Sequence, residues 1–399
     1  MIALDRKHLF GLYNDEPGGS PRLKKERLAV EAYAIVQHGK PLEKISRPTP
    51  LPTGREVLLA VTHSGICHSD LHLVEGRYDL GSRGDLNLAM RGLKLPLIPG
   101  HEVVGKVVSW GPDANHEGLS VGDVKLVFPW VGCGICARCR ADEQNLCLST
   151  RPIGLAVDGG YATHVVVSDP KYLLDIEGLD PAVAATYACS GVTVFGAIRK
   201  LMPLDSDDTV VVIGAGGLGL NAISLLKALG HERICAVDTG QTKIDAALAQ
   251  GASVVVLTDG DTASTVAKIS EACGGRVFSI IDTVNASATA EFAFDSLSKG
   301  GKLIQVGLFG GELKLPLPLM PAKSATLQGS YVGGLGELRE VVALAKRGLM
   351  PDIPVTPCDL DDVNSALDNL RDGKVIGRMV LVIGDEERAG GDAASPDLF

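Results

Sequence analysis

Residues 65 to 72, GICHSDLH, gather a cysteine, two histidines, a serine and an aspartate into eight positions of an otherwise apolar stretch. Thiolates and imidazoles bind divalent metals, while hydroxyl, carboxylate and imidazole groups accept and pass protons. A metal that does chemistry needs three protein ligands and an open fourth position. Cys67 offers a thiolate, and His101, in IPGHE behind a glycine turn, offers an imidazole. Taken singly, either residue also reads as a buried packing side chain. Spacing alone does not name the third ligand.

A second constellation is closed. Cys133, Cys136, Cys139 and Cys147 fall as CxxCxxCx7C within VGCGICARCRADEQNLC. Four thiolates this close, among glycines and polar residues, suit a tetrahedral structural zinc with no vertex left for chemistry. A redox CxxC pair would use two of the cysteines and leave two idle. The segment has few large apolar residues, so the metal is expected to hold it folded as a lobe.

The third stretch is GAGGLG, Gly214 to Gly219, which follows an apolar strand and opens a helix. In that context GxGxxG binds a dinucleotide. Gly214 permits the tight turn, Gly216 lets the backbone approach a pyrophosphate, and Gly219 lets helix and sheet pack closely. Gly217 and Leu218 complete the expected contact, and the helix N-terminus favours the anion. Asp238 ends the next strand, where its carboxylate can accept from ribose hydroxyls and repel a 2′-phosphate, favouring NAD over NADP. Lys243, five residues on, can reach the same ribose. The competing reading is a glycine-rich turn in an empty α/β domain, or, for Lys243, a solvated helix charge.

These groups must be positioned by two kinds of element. Residues 31 to about 170 read as short β segments broken by turns: EAYAIVQHG, REVLLAVTHSG, GHEVVGKVVSWG, GDVKLVF and GYATHVVV. From about 209 the rhythm becomes strand, amphipathic helix, strand, which implies parallel strands joined by crossover helices in a doubly wound sheet. After about 330 come two helical segments, ELREVVALAKRG and DVNSALDNLRDG, and a further strand, RMVLVI. The tail GDEERAGGDAASPDLF reads as disordered.

GICHSDLH, PGHEVVG, the four-cysteine lobe, ACSGVT and VVIGAGGLG, in this order and at these separations, resemble the zinc-dependent medium-chain alcohol dehydrogenases over residues 31 to 384. The stretch GRYDLGSRGDLNLAMRGLKLPLIPGHE is most similar to tetrameric archaeal and bacterial members. The resemblance implies an α/β chain with a GroES-like catalytic domain over 1–194, including an N-terminal extension over 1–30. A Rossmann domain over 195–333 and a return to the catalytic domain with a tail over 334–399 would follow. It implies two zinc ions, NAD, and a homotetramer or homodimer with a sheet-extending contact near 305 to 318.

Residue by residue, the resemblance makes Cys67, His101 and Cys189 the catalytic zinc ligands and Glu102 a carboxylate beside the metal. Asp70 would fix the tautomer of the ligand histidine. Ser69 and His72 would form a proton relay through the nicotinamide ribose. His68 and Arg378 would contact the pyrophosphate, and Thr193 the nicotinamide side. His68 stands where many members place an arginine, and an imidazole brings less charge than a guanidinium.

The implied reaction is reversible hydride transfer between an alcohol and NAD, giving an aldehyde or ketone. A metal's Lewis acidity lowers the pKa of a ligated water from ~15.7 to about 7 and acts likewise on an alcohol. Three rival readings stand: a non-catalytic NAD- and zinc-binding sensor or scaffold, a dehydrogenase of polyols or semialdehydes, and one of acyl-CoA-linked alcohols. Only 4% of residues are aromatic, which points to a substrate pocket walled by Leu, Val and Ile.

The bulk numbers agree with such a chain. At 399 residues it is long enough for two cores, with 45% hydrophobic and 22% charged residues. A net charge of −10 disfavours nucleic-acid and anionic-membrane binding. The N-terminus lacks the apolar core of a signal peptide, so the expected place is the cytoplasm, where the nine cysteines are thiols or metal ligands.

Overall fold

The computed structural model describes residues 29–384. The N-terminal extension up to residue 28 and the tail from Asp385 lie outside the described residues. Two sheets organise the rest. The first has the strands, edge to edge, Val355–Asp359, Arg378–Val382, Val57–Gly65, Glu102–Trp110, Val124–Val127 and Leu173–Asp175, with His164–Val167 also pairing Val57–Gly65. All pairs are antiparallel except the first. EAYAIVQHG instead forms Ala29–Ala34, which pairs with Glu43–Pro48 in a separate ribbon.

The second sheet is entirely parallel, in the order Val254–Leu257, Ile234–Asp238, Val210–Ile213, Ser279–Asp282, Lys302–Gln305, Thr326–Gly329. The chain winds outward from Val210–Ile213 in one direction, then crosses over and winds outward in the other. That reversal opens a crevice at the carboxyl end of Val210–Ile213, where the glycine turn begins. Alternate residues feed two cores: Val210, Val212 and Ile281 face one, Val211, Ile213 and Ile280 the other. The first core is continuous with that of the antiparallel sheet, including Val57, Leu59, Val103 and Leu126.

One helical run, Pro181–Leu201, carries the chain between the sheets. Asp180 starts it, its carboxylate accepting from the amides of Ala182 and Val183, with proline in the first turn. Its length and composition would suit a membrane span, but 89% of its most apolar window is buried inside the protein, so it is a core helix. In its middle, Tyr187–Gly191 widens to a π turn that carries Cys189. The division expected at 194/195 falls inside its last segment, Val192–Leu201. After the parallel sheet the chain returns to the antiparallel one, where Val380 pairs with Gly65 and Leu381 with Ser64. That pairing brings Arg378 beside Cys67.

Candidate active site

Cys67 lies two residues beyond the strand Val57–Gly65 and caps the helix His68–Glu75, His101 precedes the strand Glu102–Trp110, and Cys189 lies in the π turn. Four ligand-capable groups, Cys67, His101, Glu102 and Cys189, have their ligand atoms within 4.8 Å of one another, and all four residues are buried. Cys67 Sγ and Cys189 Sγ are 4.0 Å apart. Two thiolates at ~2.3 Å on a tetrahedral ion would stand about 3.8 Å apart, so the spacing fits zinc.

Asp70 is fully buried beneath this cluster. Its Oδ2 accepts from the Cys67 amide at 2.9 Å and from Tyr161 Oη at 2.8 Å. Its Oδ1 accepts from the Gly100 amide at 3.3 Å and lies 3.3 Å from His101 Nδ1. A carboxylate against Nδ1 keeps the proton there and leaves Nε2 with its lone pair. Neither ring nitrogen has a well-directed hydrogen bond within the protein, and Nε2, on the side away from Asp70, is the buried atom left to bind a metal.

Glu102 Oε1 accepts from Arg378 Nη2 at 2.8 Å, both groups nearly inaccessible to water, while Oε2 has no partner. Strand pairing sets Glu102 opposite Gly65, where a Cβ would stand 2.0 Å from Oε2. Only glycine leaves room for that carboxylate. Burial pushes the Glu102 carboxyl up to about 7, Arg378 draws it down, and the Cys67 charge pushes it up again. The thiol of Cys189, donating toward Cys67, holds Cys67 well below the usual range for a cysteine and is itself raised. Four groups here are anionic when ionised, against one guanidinium. The chemistry of the donor set thus fits a resident divalent cation.

The second cluster lies away from the cleft. Cys133, Cys136, Cys139 and Cys147 have their sulfurs within 4.8 Å of one another. Backbone amides of Cys133 and Ser149 donate to Cys147 Sγ, and that of Cys139 to Cys136 Sγ. Amides of Ile135 and Cys136 bring the Cys133 thiol down to about 6. Amide donors that stabilise thiolates, with four sulfurs within reach of one ion, suit a structural zinc. The lobe docks on the chain beyond the parallel sheet, through Asn145 Nδ2 to the Tyr331 carbonyl at 2.8 Å and the Leu335 amide to Gln144 Oε1 at 3.1 Å.

At the glycine turn each position has a different reason. Gly214 has φ +89°, and a Cβ there would strike Val284 and Thr283. A Cβ on Gly219 would lie 1.8 Å from the Gly214 carbonyl oxygen. At Gly216 nothing of the chain lies within 4 Å, so the space is open to a ligand. Gly217 starts the helix Gly217–Ala228 against Arg378, and Leu218 is half-buried in its first turn. Asp238 accepts from the Ala215 amide at 2.8 Å and the Gly240 amide at 3.0 Å, which holds its carboxylate at the turn. Lys243 flanks the same Gly240. His68 reaches solvent at the cleft mouth amid dense protein, and burial lowers its pKa, with the charges of Arg378, His72 and Lys243 acting in the same direction. Thr193 Oγ1 is buried without a partner.

Ser69 and His72 lie three residues apart on one face of His68–Glu75. Ser69 Oγ is 3.8 Å from Cys67 Sγ. Burial lowers the pKa of His72, whose ring stands 4.7 Å from that of Tyr78. Trp130 stands 5.6 Å from the His101 ring and 6.0 Å from that of Tyr331. Aromatic rings therefore stand beside the cluster, next to which composition had led to the expectation of a pocket walled by Leu, Val and Ile. An overall aromatic fraction says nothing of where the few rings gather, and Tyr78, in GRYD three residues beyond GICHSDLH, was the available signal.

The chain matches the alcohol dehydrogenase GroES-like domain over residues 53–177 and the zinc-binding dehydrogenase family over residues 217–347. It is 37% identical to an NAD-dependent alcohol dehydrogenase of Sulfurisphaera tokodaii, over 88% of this chain and 100% of that one. It is 32% identical to a D-arabinose 1-dehydrogenase (NADP(+)) of Saccharolobus solfataricus, over 88% of this chain and 97% of that one. Among solved structures, the alcohol dehydrogenase of Aeropyrum pernix superposes with a TM-score of 0.80 at 31% identity, covering 88% of this chain and 99% of that one.

Proposed function

Because the chain belongs to the zinc-dependent medium-chain alcohol dehydrogenases, we infer that it oxidises alcohols with NAD as hydride acceptor at the centre formed by Cys67, His101 and Cys189. The observation that carries this reading is the convergence of four ligand-capable groups from three separate elements within 4.8 Å, beside an aromatic wall. Cys133, Cys136, Cys139 and Cys147 hold a second, structural zinc.

When bound, zinc supplies the Lewis acidity that brings loss of a hydroxyl proton into the neutral range, as it brings ligated water from ~15.7 to about 7. The chain's own residues do the rest. Asp70 holds His101 with Nδ1 protonated, and Glu102 keeps an unpaired oxygen beside the ligands. Ser69 Oγ would accept the substrate's proton while passing its own through a nicotinamide ribose hydroxyl to His72, which delivers it toward solvent. Burial keeps His72 neutral at pH 7 and therefore able to accept. The open space over Gly216 admits the pyrophosphate, with His68 and Arg378 near it, and the unpaired Thr193 hydroxyl serves the nicotinamide side. Asp238 and Lys243 receive the adenosine ribose, and the carboxylate disfavours a 2′-phosphate.

The rings of Tyr78, Trp130 and Tyr331 favour aromatic and short apolar alcohols. A second reading, a sugar or polyol substrate, has the D-arabinose 1-dehydrogenase relative in its favour. We divide the chain into a catalytic domain over 1–194, a cofactor domain over 195–333 and a return over 334–399. A homotetramer, or a homodimer, would cover the exposed Leu308, Phe309 and Leu317 in the expected 305–318 contact, and the free thiols favour the cytoplasm. Metal analysis with an alcohol, polyol and sugar panel read by NADH absorbance tests the assignment. Two zinc ions per chain and turnover of benzyl-type alcohols are expected; tight NAD binding without turnover would sink it in favour of a sensor.

A further inference from the structure

The turn that carries Cys189 and the turn that cradles the cofactor are joined by a buried polar thread with no task in the reaction above. Asn221 lies in the second turn of the helix Gly217–Ala228, 1% exposed, among the fully buried Leu220, Ala222, Ile223 and Leu225. Its Nδ2 donates to Ser190 Oγ at 2.9 Å and to the Gly217 carbonyl at 3.2 Å. Ser190, fully buried and adjacent to Cys189, donates its proton to the Thr186 carbonyl at 2.9 Å. With that proton committed, Ser190 can only accept, as Gly217 can, so the amide must present its NH2 group to both. Oδ1 is then left buried without a partner.

Asparagine is a poor residue for this place by helix propensity and by burial. Leucine, of similar size, would fill the space without an unpaired oxygen. What asparagine adds is a directional link from Gly217, the first residue of the cofactor helix, to the residue beside a zinc ligand. The π turn is pinned on its other side too, where Trp130 Nε1 donates to the Ala188 carbonyl at 3.0 Å. Cys189 is thus held between one hydrogen bond from the aromatic wall and one from the cofactor helix.

We propose that Asn221 and Ser190 are positioning residues that hold Cys189 in register with the pyrophosphate cradle, so that NAD entering the cradle adjusts the thiolate at the metal. This rests on the reading of the chain as a zinc enzyme that binds NAD. The experiment uses the full-length enzyme with cobalt(II) exchanged into the catalytic site, whose visible bands report ligand geometry. NAD is expected to shift those bands in the unaltered enzyme. In Asn221→Leu, and separately in Ser190→Ala, cobalt content and circular dichroism stay unchanged while the NAD-induced shift is lost. Turnover falls about 10-fold in each with KM for the alcohol within about 2-fold, as misplacement at a reacting centre predicts. Ser190→Thr, which keeps the hydroxyl, restores the shift.

Undiminished band shifts and turnover in both variants overturn the proposal. If the unaltered enzyme takes up cobalt and binds NAD with no band shift, the coupling is absent and the proposal falls while the family reading stands. If it takes up no catalytic-site cobalt, that reading fails and the proposal with it. Should Asn221→Leu not fold, Ser190→Ala, which deletes one hydroxyl, decides.

Discussion

Asp70→Asn keeps the shape at the base of the catalytic cluster and changes only charge and donor count, so its cost can be worked from the contacts. The two oxygens of Asp70 face four donors, the amides of Cys67 and Gly100, Tyr161 Oη and His101 Nδ1. An asparagine has one acceptor oxygen and must turn its NH2 group against two of them. If NH2 takes the Oδ2 place, Tyr161 can rotate its hydroxyl to accept, but the Cys67 amide is orphaned. If it takes the Oδ1 place, the Gly100 amide is orphaned, and His101 is driven to accept at Nδ1. That puts its proton on Nε2, the nitrogen needed for the metal. Either way one or two buried N–H groups lose their partners at about 1–3 kcal/mol each. About 2–3 kcal/mol is a factor of ~30 to 150 in an equilibrium constant, in line with the ~10–100-fold loss of metal affinity seen when the partner of a ligand histidine is removed. The assay is release of zinc to a chromophoric chelator over a range of chelator concentrations. One ion per chain should leave the Asp70→Asn enzyme at least ~10-fold more readily, while the four-cysteine ion, far from the change, leaves as before. Identical release curves for both ions would refute the reasoning.

The second and last glycines of the GxGxxG motif, Gly216 and Gly219, should respond differently. Gly219→Ala puts a Cβ 1.8 Å from a carbonyl and should destabilise the fold by about 3 kcal/mol or more, whereas Gly216→Ala meets open space, should cost under about 0.5 kcal/mol, and should still weaken NADH binding ~10-fold by fluorescence titration. His72→Ala should lower turnover most at acid to neutral pH, with partial rescue by imidazole. Burial holds the His72 pKa below the ordinary ~6.5, so the acid limb of the kcat profile should lie below that value. Tyr78→Ala removes the covering ring, lets the pKa rise and moves the limb to higher pH, so turnover near pH 6 falls; a limb that stays in place counts against the relay. Cys139→Ser should empty the structural site and free the lobe from Tyr331 and Leu335. Two hydrogen bonds at about 1 kcal/mol each correspond to a Tm several degrees lower, at about 2–4 °C per kcal/mol. KM for the alcohol should rise, because Tyr331 belongs to the aromatic wall.

The parts of the site that lie within one turn or one loop could be read from residue order. GAGGLG, the four cysteines of the lobe and the GICHSDLH helix are local, and their chemistry is set by spacing. Cys189 is different. It stands 88 residues beyond His101 in a π turn with no periodicity of its own, so only the resemblance pointed to it. Trp130 and Tyr331 are similarly remote from each other in sequence, and a low aromatic content gave no hint that they meet. Six strands went unread: Glu43–Pro48, Arg77–Asp79, Asp85–Asn87, Leu173–Asp175, Thr326–Gly329 and Val355–Asp359. Three lie at sheet edges and three in two-stranded ribbons, where partial exposure removes the apolar run that marks a central strand. Asn221 was hidden for the opposite reason, as one polar residue in a helix otherwise explained by packing.

The charges at the centre explain why metal and fold belong together. Cys67, Cys189, Asp70 and Glu102 are anionic when ionised, Arg378 is the one guanidinium among them, and Cys67, the most exposed of the five, is only 6% accessible. With no metal, Asp70 and Cys67 hold the His101 pKa well above the ordinary histidine value, yet the ionised acidic groups would still outnumber the cations in a place water does not reach, which a protein interior does not tolerate. Protons fill the gap: burial pushes Glu102 up to about 7, and Cys189 keeps its proton by sharing it with Cys67. A divalent cation does the same work without protons and leaves a single negative charge. The four acidic side chains and the one guanidinium therefore make this pocket a place for a divalent ion rather than for a set of shared protons, and the fold that buries them is completed by it.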